Sequence, residues 1–186
     1  MRFLFFIALF SIGLAISAQT PLPKISIDSF ILRPQTLRGE AIVAFNGYST
    51  QGVFFNEKSL KNKITFINFW FEACAPCIAE IGALNKLYDD HKSNKDFQFL
   101  SFTYENPGKI SQVIEKYNIQ YPIISISHDS CYRLNFNSGF PTSIISNHDG
   151  KVAFYNCGGP TNPRIAGEKM VKDVYPVLKN LLENKQ

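Results

Sequence analysis

A Cys-x-x-Cys at the junction of a strand and a helix constrains this chain more than any other feature. The four residues are Cys74-Ala75-Pro76-Cys77. Upstream, Ile64-Thr65-Phe66-Ile67-Asn68-Phe69-Trp70 is β-branched and aromatic, the composition of a buried strand. Downstream, Ile81, Leu84, Leu87 and Tyr88 recur at three- and four-residue spacing and mark one face of a helix. The cysteines therefore fall in the first helical turn, where unpaired backbone N–H groups and the helix dipole favour an anion. A thiolate is such an anion, and a helix N-terminus lowers a Cys pKa from about 8.5 to roughly 3.5–7.5. The i, i+3 spacing places both sulfurs on one side, within disulfide reach. This pattern points to thiol–disulfide chemistry.

The first eighteen residues read as a secretory signal peptide. Arg2 starts a nearly unbroken apolar run from Phe3 to Ile16, and Ala15-Ile16-Ser17-Ala18 offers small residues for cleavage. The run falls short of the roughly 20 apolar residues of a comfortable membrane span, and an uncleaved N-terminal anchor is the alternative. Both readings deliver the rest of the chain outside the cytoplasm, to the periplasm or cell envelope. Without Arg2 the formal charge falls from +4 to +3, and the lysines are scattered. Nothing there suggests a nucleic-acid surface. Four cysteines are too few for a disulfide scaffold of this size, so a lone Cys-x-x-Cys in an oxidising compartment reads as catalytic.

Residues 19–41 contain Pro21, Pro23 and Pro34 and read as an extended N-terminal arm with a candidate edge strand. A single domain is expected over 42–186. Strands are predicted at 42–45 and 53–55, at 64–70, 97–103, 123–127, 143–146 and 151–155. Helices are predicted at about 75–92, over the stretch holding Ile110, Val113, Ile114 and Tyr117, and around 131–136. A final helix is expected to place Val171, Val174, Tyr175, Leu178, Leu181 and Leu182 on one face, kinked or interrupted at Pro176. Asp149-Gly150 between two apolar runs signals a hairpin. The order is β-α-β-α-β-α-β-β-α, an α/β fold with a mixed central sheet.

With these residues placed, the chain resembles the thioredoxin superfamily, and within it the TlpA/ResA-like extracytoplasmic thiol–disulfide oxidoreductases. The resemblance covers about residues 42–184. It rests on Ser59-Leu60-Lys61-Asn62-Lys63, Asn68-Phe69-Trp70, Cys74-Ala75-Pro76-Cys77-Ile78-Ala79-Glu80, Gly139-Phe140-Pro141-Thr142 and the Asp149-Gly150 hairpin. It implies a thioredoxin-like fold with an extra strand-helix insertion at 121–137, before the family's cis-proline, which is Pro141 here. Two departures matter: Ala73 replaces a frequent Trp, implying a more open rim, and Asn68 replaces the buried Asp of plain thioredoxin.

The roles follow. Cys74, nearer the helix start, is the expected nucleophile and Cys77 the resolving thiol. The reversible Cys74–Cys77 disulfide is the redox centre, with no separate cofactor and no resident metal. Glu80 sits where many TlpA/ResA-like proteins carry an active-site carboxylate, and a raised pKa would let it take the Cys77 proton; the competing reading is a solvated helix-face charge. Phe140, Pro141 and Thr142 are expected to meet an extended substrate strand. Ala75, Pro76 and Trp70 are expected to tune the potential, with Trp70 in the core rather than catalytic. Cys131 and Cys157 read as buried free thiols on opposite flanks of the sheet. His91, His128 and His148 read as solvated loop residues.

Three functions compete on these residues. The first is a reductase of client disulfides, in cytochrome c maturation or envelope thiol homeostasis. It would be fed by a membrane thiol donor of the DsbD/CcdA kind, with apocytochrome c among the clients. The second is a disulfide oxidase or isomerase. The third is a copper or zinc carrier, the best zinc set pairing Cys74 and Cys77 with His128 and Cys131.

Overall fold

The computed structural model describes residues 36–184. The expected leader and residues 19–35 of the expected arm lie outside them. Among the described residues no helix is long and apolar enough to cross a membrane.

Seven strands form. β1 (Asn46–Tyr48) and β2 (Phe54–Asn56) make a small antiparallel ribbon. β3 (Ile64–Phe69), β4 (Phe97–Thr103), β5 (Ile123–Ser125), β6 (Thr142–Ser146) and β7 (Val152–Cys157) make the main sheet, in the order β5-β4-β3-β6-β7. β3, β4 and β5 run parallel, and β6 and β7 are antiparallel additions. The helices are α1 (Ala75–His91), α2 (Pro107–Tyr117), α3 (His128–Leu134), α4 (Pro163–Lys169) and α5 (Tyr175–Glu183), with a π turn over Met170–Val174 between the last two. This is the thioredoxin-like architecture, and β5 with α3 is the strand-helix insertion before Pro141.

β3 is buried along its whole length because it pairs on both sides and is covered on both faces. Its period-two alternation divides the core. Ile64, Phe66 and Trp70 join Cys77, Ile81, Leu84 and Leu87 of α1 in one cluster. Ile67 and Phe69 join Ile42, Phe45, Leu60, Cys131 and Leu134 in the other. Phe66 is fully buried, its ring 5.1 Å from that of Phe99. Phe66→Ala is expected to cost about 3–5 kcal/mol, from lost transfer energy and the cavity left behind. Urea unfolding measures it as a lower midpoint at unchanged slope.

Two segments depart from the sequence reading. Residues 42–45 are not a strand. Ile42 and Phe45 are apolar because they seal the sheet as irregular chain, tied down by Ile42 N–H donating to the Gly150 carbonyl at 3.0 Å. The strand comes later, at β1, where Gly47 lies against β5: a Cβ there would sit 2.6 Å from Ile124 Cγ2, so only glycine fits. In the C-terminal helix, Pro176 falls in the first turn of α5, and the backbone widens into the π turn just before it. A proline within a helix clashes with the carbonyl four residues back, and a wider turn relieves that clash. The added residue per turn shifts the phase. Val174 and Leu178 are buried, whereas Val171 leaves the expected face and is 59% exposed.

The hairpin forms as read. Gly150 has φ +71°, and the Asn147 side chain accepts the N–H groups of Asp149 at 3.1 Å and Lys151 at 3.0 Å.

Candidate active site

Strand register brings the two signature loops together. Phe69, the last residue of β3, pairs with Thr142, the first of β6. The loop from Trp70 to Ala73 and the loop ending at Pro141 therefore leave the same end of the sheet. Both Cys74 and Cys77 belong to the cluster under α1, against which Phe71 and Phe140 pack.

Cys74 caps α1. Its Sγ accepts the backbone N–H of Cys77 at 3.3 Å, satisfying one of the orphan donors of the first turn. Pro76 sits in that turn, where a missing N–H costs nothing. The pair is closed as a disulfide with Cα atoms 5.2 Å apart. Cys74 is the more accessible sulfur-bearing residue, 6% exposed against 2% for Cys77. Trp70, just past the end of β3, is core in the cluster under α1, and its indole N–H is enclosed without a partner.

The Phe140–Pro141 bond is cis. The Pro141 carbonyl accepts Gly158 N–H at 2.7 Å, and the buried Thr142 hydroxyl donates to the Gly139 carbonyl at 2.7 Å. Phe140 centres a ring cluster: Phe71 edge-on at 5.3 Å, Tyr132 at 5.3 Å and Tyr104 at 5.8 Å, with His128 against both tyrosines. Tyr132 and His128 belong to α3, so the insertion reaches the residue next to Pro141. The sequence reading missed these rings, which only tertiary packing assembles.

Glu80 is on the inner side of α1. The alternation that points Phe66 and Trp70 toward α1 also points Asn68 there, and Asn68 Nδ2 donates to Glu80 Oε1 at 2.9 Å. Ser101 on β4 donates to Asn68 Oδ1 at 3.4 Å, which orients the amide. A Cβ on Gly159 would lie 3.5 Å from Pro141 Cγ and 4.0 Å from Glu80 Oε2, so the carboxyl also borders the proline loop. Part of the residue remains in contact with solvent, but its carboxyl is enclosed. Burial raises the pKa to about 8, and the Asn68 hydrogen bond pulls against that rise. A solvated helix-face charge would have stayed near 4.5, the ordinary value.

The remaining cysteines and histidines correct the sequence reading. Cys131 is buried and Cys157 is only half-buried; both are free thiols. Cys131 of α3 and Cys157 at the end of edge strand β7 both pack into the same apolar cluster, so they share one face of the sheet. Burial pushes the Cys131 thiol up to about 12. The dithiol packs in the other cluster, which separates it from Cys131 in the zinc set. Among the described residues no group of three or more His, Cys, Asp or Glu side chains is arranged for a metal. His91 ends α1 with Nδ1 2.9 Å from the Leu87 carbonyl, between the rings of Phe97 and Tyr175. His148 Nε2 is enclosed without a partner, so of the three only His128 is largely exposed.

Known proteins resemble this chain. The thiol-disulfide oxidoreductase ResA of Halalkalibacterium halodurans is 25% identical over 145 residues, covering 76% of this chain and 77% of that one. ResA of Bacillus cereus is 29% identical over 112 residues, which span 59% of this chain and 64% of that protein. Among solved structures, a thioredoxin-family thiol:disulfide interchange protein from Chlorobium tepidum superposes with a TM-score of 0.61 at 24% identity, over 78% of this chain and 97% of its own. StoA from Bacillus subtilis gives 0.56 at 20% identity, over 69% and 96%. These superpositions show the fold. The AhpC/TSA family matches residues 39–154. The chain belongs to the AhpC/TSA family and carries, on a thioredoxin-like fold, the Cys-x-x-Cys site of a thiol–disulfide oxidoreductase.

Proposed function

We propose that this protein is an extracytoplasmic reductase of client disulfides, working through Cys74 and Cys77. The observation that carries the reading is the buried Glu80 carboxyl, held by Asn68 one helical turn beyond Cys77, with a pKa near 8. A group of that pKa exchanges protons with a thiol near neutral pH.

In the reduced protein, the Cys74 thiolate attacks a client disulfide. A Cys74–client mixed disulfide forms and one client thiolate leaves. Cys77 then gives its proton to the Glu80 carboxylate and attacks Cys74 Sγ. The Cys74–Cys77 bond forms, and the second client sulfur departs. The client has gained two electrons, and the protein is left as the disulfide seen here. A membrane thiol donor of the DsbD/CcdA kind restores the dithiol with two electrons and two protons. The backbone at Phe140, Pro141 and Thr142 lines the extended client segment, and Ala75, Pro76 and Trp70 set the potential around the sulfurs. No cofactor beyond the cysteine pair takes part.

The apolar run at Phe3–Ile16 supports a place in the periplasm or cell envelope, with the segment cleaved or kept as an anchor. Clients are proteins bearing disulfides, with apocytochrome c a fitting class, and nucleic acid has no part. The direction of electron flow rests on Ala75-Pro76, which adds no positive charge to stabilise the Cys74 thiolate. Strong oxidants owe their power to that stabilisation. Equilibration with glutathione is expected to give a potential below about −200 mV, whereas a value near the −120 mV of strong oxidants would make the protein an oxidase.

A further inference from the structure

A docked client raises a difficulty for the proton that Glu80 collects. The client segment covers Cys74 and the Pro141 loop, closing the solvent on that side when the carboxyl must release its proton. A cleft is lined by Glu80, by Ser143 of β6, Asn156 of β7 and Ala166 of α4, and by the partly exposed Lys169 and Asp173. The space open to water is about 20 Å³, above the roughly 10–15 Å³ that one water needs. Such a water also needs two to four polar partners, and the Glu80 carboxyl, the Ser143 hydroxyl and the Asn156 amide line the cleft. Asn68 holds Oε1, while Oε2 is the oxygen near Gly159, a further lining residue. At the outer end, Lys169 Nζ and Asp173 Oδ2 pair at 2.5 Å across the start of the π turn. π turns within helices recur at functional sites.

We propose that this cleft is the proton exit of Glu80, with the Lys169–Asp173 pair at its mouth. The inference rests on Glu80 being the base for Cys77. In the resolving step the Cys77 S–H bond breaks and the proton moves to Glu80. The Cys77 electron pair forms the bond to Cys74 Sγ, and the client sulfur leaves with the pair of the mixed disulfide. Glu80 then returns its proton through the cleft to bulk water, where the client thiolate is protonated. The titratable groups around the carboxyl are Cys77 on its own helix, Tyr121 before β5, and Lys169 and Asp173 at the cleft. Tyr121 is held neutral, its pKa raised first by burial and then by the Glu80 charge.

The test plugs the cleft without touching the dithiol. Ala166→Leu extends a buried side chain into it, and Ala166→Val is the smaller plug should leucine prevent folding. Stopped-flow resolution of the mixed disulfide is followed with the reduced full-length protein and two substrates, insulin and oxidised glutathione. Insulin brings a protein chain against the Cys74 face, and glutathione only a tripeptide. The plugs are expected to slow resolution with insulin at least 10-fold, leucine more than valine, and with glutathione less than 2-fold. Equal slowing with both substrates, or none with either, overturns the route. Glu80→Gln is run alongside. Slowing with both substrates keeps the base assignment standing whatever the plugs do, while rates equal to wild type with both remove the base and the route with it.

Discussion

Cys77→Ala is expected to stop the reaction halfway, with the variant accumulating mixed disulfides with its clients, whereas Cys74→Ala is expected to be inert. The asymmetry follows from position. Cys74 caps α1 and its sulfur receives the Cys77 N–H, which favours the thiolate. Cys77 lies deeper, 2% exposed. Non-reducing gels of extracts from cells expressing each variant, followed by reduction and identification of the released clients, read the result. A ladder from Cys74→Ala, or alkylation of Cys77 ahead of Cys74 near neutral pH in the reduced protein, would exchange the two roles.

Glu80→Gln carries the second large effect. The substitution keeps the shape and can keep the hydrogen bond to Asn68, but the base is gone. Resolution is expected to slow by roughly 10²-fold. On the proposed role only the ionised carboxyl accepts the Cys77 proton, so the resolution rate should climb as pH rises through about 8, the folded-state pKa. The Gln variant should be nearly flat over that range. Stability supplies an independent sign. The carboxyl binds its proton more tightly in the folded state, near 8, than at its ordinary 4.5. Folding is therefore favoured by protonated Glu80 below about 4.5, and that advantage is lost as pH rises toward 8. Urea unfolding of wild type and Glu80→Gln should give similar stability at pH 5 and a more stable variant at pH 9. Parallel stabilities at both pH values would mean that the carboxyl is not enclosed.

The central βαβ core was readable because local and global signals agree there. β4 spans 97–103 as predicted, and α1 begins at Ala75, where the apolar periodicity and Pro76 in the first turn place it. The N-terminal strand was misplaced because Ile42 and Phe45 are apolar for a reason that periodicity does not encode: they cover a sheet edge-to-face as irregular chain. The π turn was invisible for a related reason. Val171, Val174 and Leu178 fit a regular helical stripe, and only the packed helix shows that one residue slips out of phase. At the site, Cys74, Cys77 and Pro141 announced themselves through short motifs. Glu80 could be nominated from sequence, but its Asn68 partner follows from combining strand alternation with the packing of α1 on β3. The Phe140 ring cluster and the cleft behind Glu80 draw on segments far apart in the chain, so no local pattern contains them.

The placement of Cys131 on the far side of the sheet from the dithiol has a kinetic consequence. Thiol–disulfide exchange requires a thiolate, and a thiol with a pKa near 12 is ionised at neutral pH to only about one part in 10⁵. Buried in an apolar cluster, Cys131 neither attacks the Cys74–Cys77 bond nor presents itself to a passing oxidant. The sheet works as electrical insulation between the chain's working sulfurs and this spare one. The catalytic pair can be oxidised and reduced through many turnovers with Cys131 kept out of internal reshuffling.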